Sequence, residues 1–238
     1  MTPKIPLLFL FFWASALYGQ DTAKIWQPNR EFHYQALYLN ANGDTISNET
    51  IVMIPTGEPN PLQKKIQTFA EFRYQYSYDD SVKLAANPIH ANDFTKKHNT
   101  IIWRRSIKEG IKENEDEIWM HPFRINQYVL TEIAPFPTAR FPLTEGRSWK
   151  SLTFIGKGWG TFSGRATNRF TIKGKTTRQV GIGKLPGCQL IEATSNHKKL
   201  GESQAKFYFH PKYGFVEMDY HFYNDQRMVF SLQRVVDK

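Results

Sequence analysis

The chain has 238 residues, of which 40% are hydrophobic and 15% aromatic, with a formal net charge of +9 and one cysteine. That length suffices for one large or two small domains; the lone Cys188 excludes an internal disulfide, so stability must come from a buried core. The basic residues fall in scattered pairs (Lys64–Lys65, Lys96–Lys97, Arg104–Arg105, Lys198–Lys199) without a basic block or nucleic-acid module. This argues against nucleic acid as a partner and leaves anionic glycans or lipid headgroups as the partners a basic surface would suit.

Lys4, the apolar run IPLLFLFFW (5–13) and the small residues after it have the order of a secretory signal over residues 1–19. The run is shorter than the ~20 residues a spanning helix needs. Cleavage after Ala16 or after Gly19 fits, and no Cys at the junction points to a lipoprotein. The expected mature protein is exported, periplasmic or extracellular, with no transmembrane segment and the charge reduced to +8 by the loss of Lys4. Residues 20–238 read as a single β-rich domain, with two lobes split near 140 as the alternative.

Phe32, Tyr34, Ala36 and Tyr38 alternate in EFHYQALYLN (31–40), and Asn42-Gly43 then signals a hairpin turn into TISNETIVMI (45–54). PTGEPNP (55–61) reads as a loop, because Pro removes ladder donors. Phe72, Tyr74, Tyr76 and Tyr78 alternate with polar residues, so a strand is expected from about Phe69. Residues 79–99 read as a loop or short helical piece, TIIWRRSI (100–107) as a strand, and EGIKENEDE (109–117) as an acidic, solvated turn.

An aromatic stretch broken by Pro and Gly follows over 118–160, and strands are then expected within 166–173, 186–194, 203–209, 215–223 and 227–236. The last three form an antiparallel meander, joined by HPKYG (210–214) and NDQ (224–226). The expected fold is mainly β, an antiparallel meander of about ten to twelve strands forming a strongly curved sheet, sandwich or open barrel.

GKGWG (156–160) and GIGKLPG (181–187) lack the spacing of a phosphate or dinucleotide loop and read as turns. No nucleophile elbow, zinc pattern or paired Cys occurs, so no catalytic residue, metal or cofactor is assigned. Cys188 alternates with Leu190 as a buried thiol would. Glu217, Asp219 and His221 share one strand face and could orient an imidazole or hold a metal, but polar-out alternation accounts for them as the wet face of a strand. The candidate binding residues are Trp119, His121, Arg124, Trp149 and Trp159, since Trp and Arg stack on sugars and headgroups and anchor interfaces.

The phrases IWMHPFR, APFPTARFP, SWKSLTF, GWG, GKLPGCQLIEAT and KFYFHPKYGFVEMDY resemble an uncharacterised group of exported, β-rich envelope proteins of Gram-negative bacteria, over about 118–236. The resemblance implies export and a β-fold, and carries no activity or functional residue. The function expected is an exported non-enzymatic protein binding a lipid, glycan or lipopeptide in the concave face of a sheet. An interaction or assembly protein of the envelope is the alternative, and an envelope hydrolase or lyase has no signature.

Overall fold

The computed structural model describes residues 24–63, 66–79, 82 and 104–238. The expected signal at 1–19 and most of the loop expected at 79–99 lie outside them. Twelve strands are described: β1 (Arg30–Leu39), β2 (Thr45–Pro59), β3 (Thr68–Gln75), β4 (Ser106–Glu113), β5 (Glu117–Met120), β6 (Thr138–Arg140), β7 (Ser148–Ile155), β8 (Gly164–Val180), β9 (Gly183–His197), β10 (Gly201–His210), β11 (Gly214–His221) and β12 (Arg227–Asp237). They form one antiparallel sheet in the order β6-β5-β4-β3-β2-β1-β12-β11-β10-β9-β8-β7, curled into a half-barrel. Every neighbour pair is consecutive in the chain except β1 and β12, which pair from Arg30↔Asp237 to Leu39↔Arg227 and put both ends of the strand series at the sheet's centre.

The alternation sets the concave face. Phe32, Tyr34, Ala36 and Tyr38 lie across from Leu232, Phe230 and Met228 on one side and from Met53 and Ile51 on the other. Phe72 and Tyr74 continue the face on β3, and Met218, Tyr220, Ala205, Phe207, Ile191, Ala193, Phe170 and Ile172 continue it from β11 to β8. A 3-10 helix over Asn126–Ile133 fills the middle of this face, with Tyr128, Leu130 and Ile133 buried. Phe123 packs edge-on against Tyr34, Phe72 and Phe230 at 4.9 to 5.3 Å. The helix starts at Asn126, whose left-handed backbone (φ 58°) is one that Asn tolerates; its amide side chain is bonded to the Arg104 backbone. Burial of so many aromatic side chains, each removing on the order of 150–250 Å² from water, is the main stabilising term.

Four expectations need correction. PTGEPNP is not a loop throughout: β2 continues to Pro59. Its pairing to β1 ends at Met53 and a bulge follows Pro55, so Pro55 stands where β2 has β3 as its one recorded neighbour and loses no β1 ladder bond. The acidic turn at 109–117 is also a strand for most of its length. Ile107 and Ile111 face the core on β4, and the turn is confined to residues 114–116. The strand expected at 100–107 begins only at Ser106 among the described residues.

The fourth correction concerns β11. Met218, Tyr220 and Phe222 are buried as expected, but Glu217 and Asp219, placed on a wet face, are 4% and 7% exposed. The reason is the long β8–β9 hairpin, which bends at bulges after Ile172 and Thr176 and lies against the convex side of β10–β12. Arg178 donates from Nε and Nη2 to the two carboxylate oxygens of Glu217, and its guanidinium lies 4.4 Å from the Tyr208 ring centre. At the hairpin tip, a Cβ on Gly181 would meet the Gln233 Cα at 2.6 Å. Arg227 forks onto Asp219 with two bonds of 2.8 Å, and His221 stays exposed. Cys188 is fully buried, and burial raises its thiol pKa.

Candidate functional site

The two ends of the curled sheet do not meet edge to edge. Following the register around the sheet, Ile111, Met120, Ile118 and Ala139 carry the concave face to β6, so Lys112, Glu117, Trp119, Thr138 and Arg140 lie on its convex side. At the other end, Trp149, Ser151 and Thr153 pair with Phe170, Asn168 and Ala166 and lie on the concave side. A cleft of about 460 Å³ is lined by both sets, Ala166 excepted, together with Ile66, Gln67, Phe136, Leu152 and Phe154. The concave face of β7–β8 therefore overlaps the back of β5–β6, and the cleft is the gap between the layers.

Local chemistry fixes each wall. Trp149 stacks flat on Phe170 (5.1 Å, 3°), a cross-strand aromatic pair. The Arg140 guanidinium lies 5.9 Å from the Trp149 ring centre, and Arg140 also donates to Glu117 at 2.9 Å. Glu117 accepts a second bond from Lys112 at 2.8 Å. Burial works to raise the Glu117 pKa, but these two cations outweigh it and leave the carboxyl below its usual value. Asn168, 1% exposed, donates to Ser151 and Thr153 at 3.2 and 2.8 Å. Its Oδ1 and the indole Nε1 of Trp149 are buried and have no hydrogen-bond partner among the described residues. An unpaired buried donor and an unpaired buried acceptor each cost on the order of 1–3 kcal/mol.

The five candidate residues separate into two places. Trp119 and Trp149 line the cleft. His121 sits behind its aromatic wall, 4.8 Å from Trp119 and 5.4 Å from Phe136 between ring centres. Burial, with a smaller contribution from the Arg124 charge, lowers the His121 pKa to about 3, so the ring is neutral at ordinary pH. Arg124 does not line the cleft. Its Nε and Nη2 donate to Glu109 at 2.9 and 2.8 Å, its Nη1 donates to Glu132 at 2.7 Å, and its face lies 5.6 Å from the centre of Trp159 on the second 3-10 helix (Lys157–Phe162). Burial opposes this charge, yet the two carboxylates raise the Arg124 pKa; burial, in turn, raises that of Glu132 against the pull of Arg124.

Sequence reasoning missed Asn168, Ser151, Thr153 and Phe136. Asn168 had one signal: a polar residue in phase with Ala166, Phe170 and Ile172 on a face otherwise apolar. Among the described residues no group of three His, Cys, Asp or Glu is placed to hold a metal, and no helix is long and apolar enough to cross a membrane.

No family model and no curated protein matches this sequence. Solved structures do. A protein from Bacteroides fragilis described as exported and having a YmcC-like fold superposes with a TM-score of 0.50 at 10% identity, covering 88% of this chain and 96% of that one. A protein from Parabacteroides distasonis described as a lipoprotein gives 0.49 at 11% identity over 91% and 100% of the two chains. The hypothetical lipoprotein YmcC of Escherichia coli gives 0.39 at 8% identity, over 89% and 88%. The chain thus shares the β-rich fold of the B. fragilis protein, and its neighbours are described as exported proteins or lipoproteins.

Proposed function

We propose that this is an exported, non-enzymatic envelope protein that binds a ligand in the cleft between the overlapping sheet ends. The central concave face is filled by Phe123, Tyr128 and Leu130, which moves the expected ligand from the middle of the sheet to its β7–β8 end. The observation that carries this reading is the buried pair of Trp149 Nε1 and Asn168 Oδ1 on the cleft wall. The volume of about 460 Å³ falls within the ~300–1,000 Å³ of small-molecule sites. Glu117, ionised between Lys112 and Arg140, suits holding a polar ligand more than moving a proton. The mixed lining of indoles, hydroxyls, amide and charge favours a glycan or the peptide part of a lipopeptide over a bare acyl chain. A role as an interaction or assembly protein is the second reading, favoured by the edge of β7, which pairs with no strand other than β8 among the described residues.

Native mass spectrometry of protein purified from its own host tests the reading. A co-purifying ligand is expected on the wild type and should be lost or much reduced in Trp149→Phe, which keeps the ring and removes the N–H. A ligand retained in full by Trp149→Phe and by Asn168→Leu would place binding elsewhere.

A further inference from the structure

We infer that the ligand of this cleft is an extended, acidic peptide segment that pairs with the outer edge of β7, an inference that rests on the cleft being the binding site. Among the described residues, β7 and β6 are the two edges of the sheet. β6 is three residues long and offers little to pair with, whereas β7 runs for eight residues in unbroken register with β8. Edge strands are usually blunted by shortness, Pro, bulges or charged side chains. β7 is long, regular and without Pro, carries the single charge of Lys150, and exposes Leu152 and Phe154, which are 48% and 65% accessible. A strand added to such an edge gains main-chain hydrogen bonds and sends alternate side chains to the two faces.

Those faces define the peptide. On the concave side, an added strand would continue the rows of Trp149–Phe170 and Ser151–Asn168 and send its side chains into the cleft. There, Asn168 Oδ1 and Trp149 Nε1 call for a side chain with both donor and acceptor, such as a hydroxyl or amide. On the convex side, Lys150 lies opposite Arg169 and Phe154 opposite Arg165, and all three cations are exposed. None of the three is in an ion pair among the described residues; Arg165 leans over the Phe154 ring at 5.0 Å. Opposite charges across strands attract and like charges repel, so the outward residues of the partner should be acidic. The peptide that fits alternates acidic and short hydroxyl or amide residues over about one strand length.

The test uses acetyl-(Glu-Thr)4-amide, its Lys-Thr counterpart, a scrambled Glu4Thr4 peptide, an acidic oligosaccharide of hyaluronan and phosphatidylglycerol vesicles, each with the whole protein. Amide hydrogen exchange is read residue by residue. Glu-Thr at about 1 mM, a concentration suited to a weak single-strand contact, should slow exchange at alternate β7 amides about tenfold, with no such effect from the scrambled peptide. The doubly charge-reversed K150E/R169E protein, altered only at exposed positions, should prefer Lys-Thr to Glu-Thr. No protection of β7 by Glu-Thr, or an unchanged preference in a variant with wild-type circular dichroism, overturns the peptide inference. Protection of cleft residues by the oligosaccharide or the vesicles instead overturns it while sparing the cleft. Protection confined to surfaces away from β7, β8 and Trp119 overturns the cleft reading as well.

Discussion

Arg124 and Glu109 meet edge to edge, the guanidinium Nε and Nη2 donating to the two carboxylate oxygens at 2.9 and 2.8 Å, 15 residues apart in the chain. With Glu132 on the remaining edge, one cation serves two carboxylates whose side chains are 6% and 5% exposed. The group ties β4 to the 3-10 helix that fills the concave face. Breaking a buried pair by removing one partner costs more than the pair contributes, because the stranded charges keep their desolvation penalty. Arg124→Ala should therefore cost about 3–5 kcal/mol by chemical denaturation and leave cleft binding unchanged in whatever folds. A loss under about 1 kcal/mol would show the triad to be solvated like a surface pair.

Trp159 packs against that triad and does not line the cleft. It is partly buried on the second 3-10 helix, with Arg124 over its face. Trp159→Ala should lower stability by about 1–3 kcal/mol, below the ~3–5 of a fully buried aromatic, and leave ligand affinity intact. Trp149→Phe should do the reverse. Calorimetric binding and thermal denaturation on both proteins separate the two roles, and an affinity loss in Trp159→Ala would reunite the five candidate residues in one site.

The alternation along β11 and into Phe222 just after it makes a graded prediction. Phe222, 4% exposed, should cost ~3–5 kcal/mol on truncation to Ala. His221, whose side chain is 56% exposed, should cost under ~0.5. Asp219→Ala should fall between, about 1 kcal/mol, since solvent reaching the Arg227 side chain (39% exposed) weakens that pair. Urea denaturation of the three variants checks the order. Equal losses at Asp219 and His221 would mean that the ion-paired layer on the convex side contributes nothing.

The strands that could be read from sequence were those with a clear two-residue period: Phe32 to Tyr38, Phe72 and Tyr74, Ala205 to Phe209 and Met218 to Tyr220 all face the core. What could not be read depends on contacts between distant segments. β4 looked like a solvated acidic turn because Glu109 is made tolerable only by Arg124. The wet face assigned to Glu217 and Asp219 was covered by Arg178 from β8 and by Arg227. The helix over Asn126–Ile133 has residues buried on all sides, so it shows no amphipathic period. The cleft was half legible: aromatic residues marked Trp119 and Trp149, but Asn168 matters only because the sheet ends overlap.

His121 gives the last prediction. Its folded pKa, about 3, lies below the 6.5 of the free group, chiefly through burial and secondarily through Arg124. Between those values the unfolded chain binds the proton and the folded chain does not. Stability is therefore complete above about pH 6.5 and falls as pH drops toward the folded value, by at most about 1.4 kcal/mol per pH unit. His33, His197 and His210, also lowered chiefly by burial, act in the same direction, so the contribution of His121 must be isolated by difference. The carboxylates Glu31, Glu71 and Glu117, whose pKa values are lowered, lose stabilisation only in the more acidic range. His121→Phe keeps a ring against Trp119 and Phe136 and removes the titration. Its denaturation free energy should match wild type within about 1 kcal/mol at pH 7.5 and fall distinctly less steeply between about pH 6.5 and 4.5. Parallel slopes in the two proteins would show that His121 takes up a proton in the folded state, and that solvent reaches the ring behind the cleft wall.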